Sequence, residues 1–324
     1  MLNVLECLKL TGRYTEKGKR NYMLGLSDTQ KRSFDQDGVL VLPDFFTSDE
    51  CDSLRDRMAD IVNAYEPSES DTVFSTSEQK HAQEEYFLTS GDKIRFFFEE
   101  NSDPSLPTNV SLNKVGHAMH DLDPVFSNFV RKPKMAQLAR DVGFKDPLLL
   151  QSMYIFKPPK IGGEVVWHTD HPFLWTDPPS VKGFWVALED ATIENGCLWC
   201  LPGLHTLQPK QRFRRKESGG TEMQIFDDTE FPTEKKIPLE VEKGTLVVID
   251  GLLPHWSSAN LSDTSRHAFT LHVIEGSANY LDDNWLQSQN VTRDELRMAI
   301  DAVLNCNDLD FKQIPSMGCN IKWK

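Results

Sequence analysis

The sequence predicts a mainly β protein with flanking helices, built as a jelly roll or barrel. Three observations carry this. From about residue 146 onward the texture is of short apolar strands separated by Pro, Gly, Asn and Asp. Two widely separated strands each end in a candidate metal ligand, which a sheet returning on itself would bring together. The helical spacing of apolar residues is confined to the first 145 residues, which read as a mostly helical part with a flap.

In chain order, Ser27-Asp-Thr-Gln is a cap for a short helix running to about Gln36, and Asp37-Gly38 turns the chain into an apolar strand, Val39 to Leu42. Thr47-Ser48-Asp49-Glu50 starts a longer helix with Cys51, Leu54, Met58, Ile61 and Val62 on one face, which predicts packing on a sheet. Residues 65–85 are polar and predict a surface flap before the strand Asp92 to Glu99. One helix is predicted over 124–142. Strands are predicted near 149–157, 164–168, 183–189, 197–201, 237–239, 245–250, 253–257 and 267–274. With no repeat or linker, the chain reads as one domain over 1–324: the 1–145 part, a β core over 146–278 and a C-terminal extension over 279–324.

The chain has 324 residues, 39% of them hydrophobic, enough for a sizeable core. Thirty-five basic residues against 49 acidic ones give a net charge of −14, which argues against nucleic-acid or anionic-membrane partners. Six cysteines (Cys7, Cys51, Cys197, Cys200, Cys306 and Cys319) are too sparse for a disulfide scaffold, so reduced thiols are expected. The sequence shows no signal peptide, membrane span or peroxisomal C-terminal tripeptide, and the expected location is cytoplasmic.

The chemistry starts at Val-Val-Trp-His168-Thr-Asp170, where two ligand types two residues apart share one face of a strand end. A third, His255, follows the apolar strand Val-Val-Ile-Asp250 and a turn. Two imidazoles and one carboxylate suit a ferrous ion with open positions for an oxo acid and O2, and suit zinc as well. Arg266, eleven residues after His255, follows a turn that would return it beside the metal-bearing strand. Its planar guanidinium matches the distal carboxylate of a dicarboxylic oxo acid, and Ser257 can add a hydrogen bond. That favours 2-oxoglutarate over a zinc hydrolase.

With these come Leu-Pro-Asp-Phe-Phe46, Asp-Lys-Ile-Arg-Phe-Phe-Phe98, Asn113-Lys-Val-Gly-His-Ala-Met-His120, Gln-Ser-Met-Tyr-Ile-Phe156, Gly-Gly-Glu-Val165, Trp-Val-Ala-Leu-Glu-Asp-Ala191, Glu-Asn-Gly-Cys-Leu-Trp199 and Asn-Leu-Ser-Asp263. On these motifs, which span most of the chain, the sequence resembles the phytanoyl-CoA dioxygenase family. The resemblance implies a double-stranded β-helix (cupin-like) core. It implies oxidative decarboxylation of 2-oxoglutarate to succinate and CO2, coupled to hydroxylation of a small organic or acyl-type substrate, with ascorbate as a candidate reductant. By motif position it places Lys114, Met153, Trp185, Ser257 and Arg266 around the 2-oxoglutarate, with His168, Asp170 and His255 on the iron. The competing reading is a regulatory protein that binds metal and 2-oxoglutarate without turnover.

Several features read more plainly. Cys197-Leu-Trp-Cys200 lies in a strand, where cysteines three apart face opposite ways, and His117, His120, His171 and His205 read as satisfied structural histidines. Trp167, Phe173, Trp175, Trp199 and Trp256 suggest an aromatic-lined pocket. The basic run Lys210 to Lys216 reads as a solvated loop, or as a clamp for an anionic substrate tail.

Overall fold

A computed structural model describes residues 25–66, 72–74, 85–100 and 108–287. Most of the expected flap therefore lies outside the described residues, as does the extension beyond residue 287.

Helix α1 (Asp28–Asp37) and helix α2 (Ser48–Asn63) begin at capping boxes: Ser27 with Gln30, and Thr47 with Glu50. In the second, the Glu50 backbone N–H donates to Thr47 Oγ1 at 3.2 Å and the Thr47 N–H donates to Glu50 at 2.8 Å, so two helix-start donors are satisfied reciprocally. Strand β1 (Val39–Leu42) lies between the two helices. Strands β2 (Thr72–Phe74), β3 (Ile94–Glu99) and β4 (Leu112–His117) follow, with one-turn helices α3 (Glu85–Leu88) and α4 (Thr108–Ser111) among them.

Next come α5 (Met119–Leu122), α6 (Pro124–Val130) and α7 (Pro133–Asp141). The single helix expected over 124–142 is thus two. Pro133 supplies no N–H and excludes the helical conformation from the residue before it, so Lys132 turns extended, at φ −62° and ψ 143°, and a new helix starts.

The second half is strand after strand: β5 (Pro147–Ile155), β6 (Val165–His168), β7 (Thr176–Asp177), β8 (Lys182–Ala187), β9 (Leu198–Cys200), β10 (Gln211–Arg215), β11 (Thr221–Ile225), β12 (Ile237–Leu239), β13 (Leu246–Asp250), β14 (His255–Ser257), β15 (Ala268–Glu275) and β16 (Asn279–Tyr280). An eight-stranded sheet runs β1-β13-β8-β15-β5-β4-β3-β2, and a four-stranded sheet runs β12-β9-β14-β6. From β5 to β9 and again from β12 to β15 the core strands alternate between these two sheets, with β9 and β12 pairing in the smaller one, which is the double-stranded β-helix. Strands β1 to β4 extend the larger sheet, while the β10–β11 hairpin and the β7–β16 pair are small separate sheets.

Alternation along the strands sorts side chains between two interiors. Phe184, Val186, Val248, Phe269 and Leu271 bury against Leu54 and Met58 of α2, Phe126 and Phe129 of α6, and Leu138 of α7. Burial of each such side chain contributes about 1.5–3 kcal/mol. Their strand neighbours Trp185, Ala187, Val247, Ile249 and Ala268 face the other way and form a second cluster with Leu198 and Cys200 of the smaller sheet. The site is built in that second interior.

Candidate functional site

His168 ends β6 and His255 opens β14, and these two residues are cross-strand partners. Their rings lie 4.1 Å apart, and Asp170 Oδ1 is 3.8 Å from Nε2 of His168 and 3.7 Å from Nε2 of His255. One ligand atom from each of the three falls within 4.8 Å of the others, and it is the one cluster of three or more such residues among the described residues. An ion about 2.0–2.2 Å from each atom spans such gaps.

The two imidazoles are preset for a metal. His168 Nδ1 lies 2.8 Å from the Val166 carbonyl and His255 Nδ1 lies 3.0 Å from the Leu253 carbonyl. A carbonyl only accepts, so each Nδ1 carries the proton and each Nε2 presents a lone pair. Burial, then the neighbouring His255, pushes the His168 imidazole down to about 4 and keeps it unprotonated. Burial alone would raise the Asp170 carboxyl, but the His272 and His255 imidazoles beside it and the hydrogen bond from His272 outweigh it and hold the group well below the usual carboxylate range.

His272 was not among the residues picked out in the sequence. Its Nε2 lies 3.2 Å from Asp170 Oδ2 and its Nδ1 lies 3.0 Å from the Gln151 side-chain amide. Its even spacing from Arg266 was the available signal, since 266, 268, 270 and 272 share one strand face.

The expected 2-oxoglutarate residues gather on the same interior. Thr270 of β15 pairs with Trp185 on one side and Met153 on the other, and Met153 pairs in turn with Gly116 of β4. Lys114, two residues before Gly116, shares its face, and burial pushes its ammonium down to about 7. Arg266 is 2% exposed, with its guanidinium 5.5 Å from the Trp185 ring and its Nε donating to the Gly196 carbonyl at 3.1 Å. Its Nη1 is buried without a partner. A buried donor left unmade costs about 1–3 kcal/mol, more for a charged group, so this atom is suited to an added acceptor.

Lys157 is a second residue that sequence reasoning missed. It sits at φ +41°, in the left-handed region, with its carbonyl held by Asn260 Nδ2 at 2.9 Å. Its ammonium donates to Ser257 Oγ at 3.0 Å and to the Gly163 carbonyl at 2.6 Å. Burial, then the Arg266 charge, pushes it down to about 7. Gly196 closes over it: at φ +83°, a Cβ there would meet Lys157 Cε at 2.8 Å. The Glu99 carboxylate, bonded to the Gly163 N–H at 3.1 Å, is raised by its burial although Lys157 and Arg266 oppose the shift. Two buried cations facing one carboxylate make a site suited to an added anion.

Other expectations sort differently. Trp167 and Trp256 stack at 6.0 Å, and Trp199 lies 6.0 Å from Trp256. Each follows or precedes a ligand histidine or core residue by one position, so this indole ladder lies on the opposite face of the smaller sheet from the metal ligands. Phe173 and Trp175 of the expected aromatic set lie instead under the β10–β11 hairpin, where Phe173 packs on Phe213 at 5.7 Å and Trp175 meets Phe226 at 6.0 Å. The basic run lies mostly in that hairpin and its arginines are engaged internally. Arg212 pairs with Asp283, Arg214 with Glu222 at 2.7 Å, and Arg215 donates to the Trp285 carbonyl at 2.7 Å.

His117 and His120 are bonded to Ser90 at 2.8 Å and Ser152 at 2.9 Å, and His205 to the Asp35 carbonyl at 3.2 Å. His171 differs: it is fully buried and both ring nitrogens lack partners. The residues around it supply a backbone bond and the Trp175 ring, 4.4 Å away, but no polar side-chain partner. Cys197 and Cys200 are buried and free, and burial raises both thiols, that of Cys197 to about 12.

The family model described as phytanoyl-CoA dioxygenase (PhyH) matches residues 34–268. The chain is 44% identical over 270 residues to phytanoyl-CoA dioxygenase of Arabidopsis thaliana, covering 81% of this chain and 94% of that one. It is 43% identical over 279 residues to phytanoyl-CoA dioxygenase domain-containing protein 1 of Mus musculus, covering 82% and 96%. Among solved structures, EctD from S. alaskensis in its apoform superposes with a TM-score of 0.59 at 19% identity, covering 86% of this chain and 90% of that one. The non-heme alpha ketoglutarate dependent carbocyclase SnoK from nogalamycin biosynthesis gives 0.56 at 17%, covering 81% and 90%. These two likenesses concern the fold.

Proposed function

Because this chain belongs to the phytanoyl-CoA dioxygenase family and is a non-haem iron, 2-oxoglutarate-dependent dioxygenase, we propose that it couples decarboxylation of 2-oxoglutarate to succinate and CO2 with hydroxylation of a small organic or acyl-type substrate. The observation that carries this reading is a preset His-Asp-His trio in the same interior as a buried arginine with an unpartnered donor.

His168, Asp170 and His255 would hold the ferrous ion, through the two Nε2 lone pairs and Asp170 Oδ1. When bound, iron supplies a redox centre with open positions for the oxo acid and O2. The rest is the work of this chain's side chains. Arg266 offers a planar guanidinium to the distal carboxylate of 2-oxoglutarate, stacked in place by Trp185. The Lys157 ammonium can only donate, and it donates to Ser257 Oγ. The Ser257 hydroxyl proton is therefore free to point at the same carboxylate. Lys114 adds positive charge, while Met153 and Trp185 wall the carbon chain and exclude water.

The same reading takes 1–324 as one dioxygenase domain, with the core over 146–278. It places the enzyme in the cytoplasm, where the free thiols of Cys51, Cys197 and Cys200 are stable. Among the described residues no helix is long and apolar enough to cross a membrane. The internal pairing of the 210–216 run favours a substrate without a polyanionic tail.

The test is succinate formation from 2-oxoglutarate with Fe(II), O2 and ascorbate, beside a His168→Ala control. Turnover dependent on His168 is expected. Iron loading through the trio with no succinate, across a panel of candidate substrates, would replace an enzyme with a binding protein.

A further inference from the structure

Asp170 has two carboxylate oxygens, and this fold uses each differently. Oδ1 faces the Nε2 atoms of His168 and His255, while Oδ2 meets His272 Nε2 at 3.2 Å. Behind the imidazole, the Gln151 amide nitrogen lies 3.0 Å from Nδ1. An amide N–H donates, so Nδ1 accepts and the ring proton sits on Nε2, aimed at Oδ2.

Gln151, His272 and Gly183 are cross-strand partners on β5, β15 and β8. A Cβ at Gly183 would stand 3.2 Å from Asp170 Oδ2 and 3.7 Å from His272 Nε2. The bare glycine thus leaves the space in which the carboxylate and the imidazole meet. Three strands of the larger sheet contribute one residue each to the hold on a ligand carried in the turn after β6 of the smaller sheet.

We propose that His272 is a positioning residue for the metal centre, confining Asp170 to coordination through Oδ1 alone. A carboxylate with both oxygens free can bind an ion through both, occupying a position that a bidentate oxo acid or O2 needs. With Oδ2 committed to His272, the trio gives three donor atoms and leaves the remaining positions open. This inference rests on the iron reading above.

The test uses the full chain with Co(II) as the probe ion, a spectroscopic reporter of coordination number. His272→Leu should weaken Co(II) binding by about 10–100-fold, the usual cost of losing a partner behind a metal ligand. It should also change the intensity of the Co(II) visible absorption and weaken 2-oxoglutarate binding to the Co(II)-loaded protein. His272→Gln, which restores an N–H donor at similar reach, should recover most of the loss. Gly183→Ala, which crowds the same pair while keeping both polar groups, should shift affinity and spectrum in the same direction and serves if His272→Leu does not fold.

Wild-type Co(II) affinity and spectrum in folded His272→Leu, with only a lower melting temperature, would overturn the proposal, as would unchanged binding by Gly183→Ala. Failure of the wild-type chain to bind Co(II) in a His168-dependent way would instead remove the iron reading beneath it.

Discussion

Replacing Arg266 by Met should separate affinity from stability. The guanidinium is 2% exposed, donates from Nε to the Gly196 carbonyl at 3.1 Å, lies 5.5 Å from the Trp185 ring, and leaves Nη1 without a partner. Methionine forfeits the Gly196 bond, worth about 1 kcal/mol, and the ring contact, worth about 0.5–2 kcal/mol. It also removes a buried charge with an unmade donor, which costs about 1–3 kcal/mol. The two sides nearly cancel, so unfolding free energy should change by less than about 2 kcal/mol. Affinity has no such offset: two charge-assisted hydrogen bonds to a carboxylate, about 1.5–2 kcal/mol each, are lost together. That is about 3–4 kcal/mol, or a rise of roughly 10²–10³-fold in KM for 2-oxoglutarate. The assay is succinate formation across a range of 2-oxoglutarate concentrations, with thermal unfolding in its presence and absence. A KM within about threefold of wild type, or a loss of several kcal/mol in stability with affinity intact, would refute the reasoning and make Arg266 a structural residue.

Two further outcomes are expected. Lys157→Met removes the donor that orients Ser257 and should raise KM for 2-oxoglutarate about tenfold, with less discrimination against 2-oxovalerate, which lacks the distal carboxylate; unchanged KM and selectivity would confine Lys157 to packing. For pH dependence, burial pushes His168, His171 and His267 from 6.5 down to about 4. Across that window the unfolded chain takes up protons that the folded chain refuses, so stability is fully present above about pH 6.5 and is lost as pH falls toward 4. At about 1.4 kcal/mol per pKa unit each histidine contributes on the order of 3 kcal/mol. The melting temperature of metal-free protein should fall steeply between pH 6.5 and 4.5 and more shallowly in His171→Phe, and a flat profile would contradict buried, uncharged imidazoles.

Much of this molecule is legible in its one-dimensional pattern because the relevant physics is local. Capping at Ser27 and Thr47, the apolar helix face from Cys51 to Val62 and the period-two strands depend on neighbours within a few residues, and each appears where the spacing predicts it. His168 ends β6 where the pattern places it, whereas Asp170 lies two residues past the strand, in the turn that opens the short 3-10 helix His171–Phe173; the motifs around them name the family.

What tertiary structure decided is which residues meet across strands. His272 reaches Asp170 only because β15 crosses β8 beside it, and Lys157 reaches Ser257 across one hundred residues of chain. The tryptophans of β6, β9 and β14 looked like a pocket, yet each sits one position from a ligand histidine or a core residue, and adjacency on a strand sends it to the other face. The basic run looked unpaired because one of its carboxylate partners, Asp283, lies about seventy residues away and another, Glu222, is met only by folding the run into a hairpin. Spacing fixes what a residue can face within its own element; only the closing of two sheets into one β-helix decides what faces it from the other side.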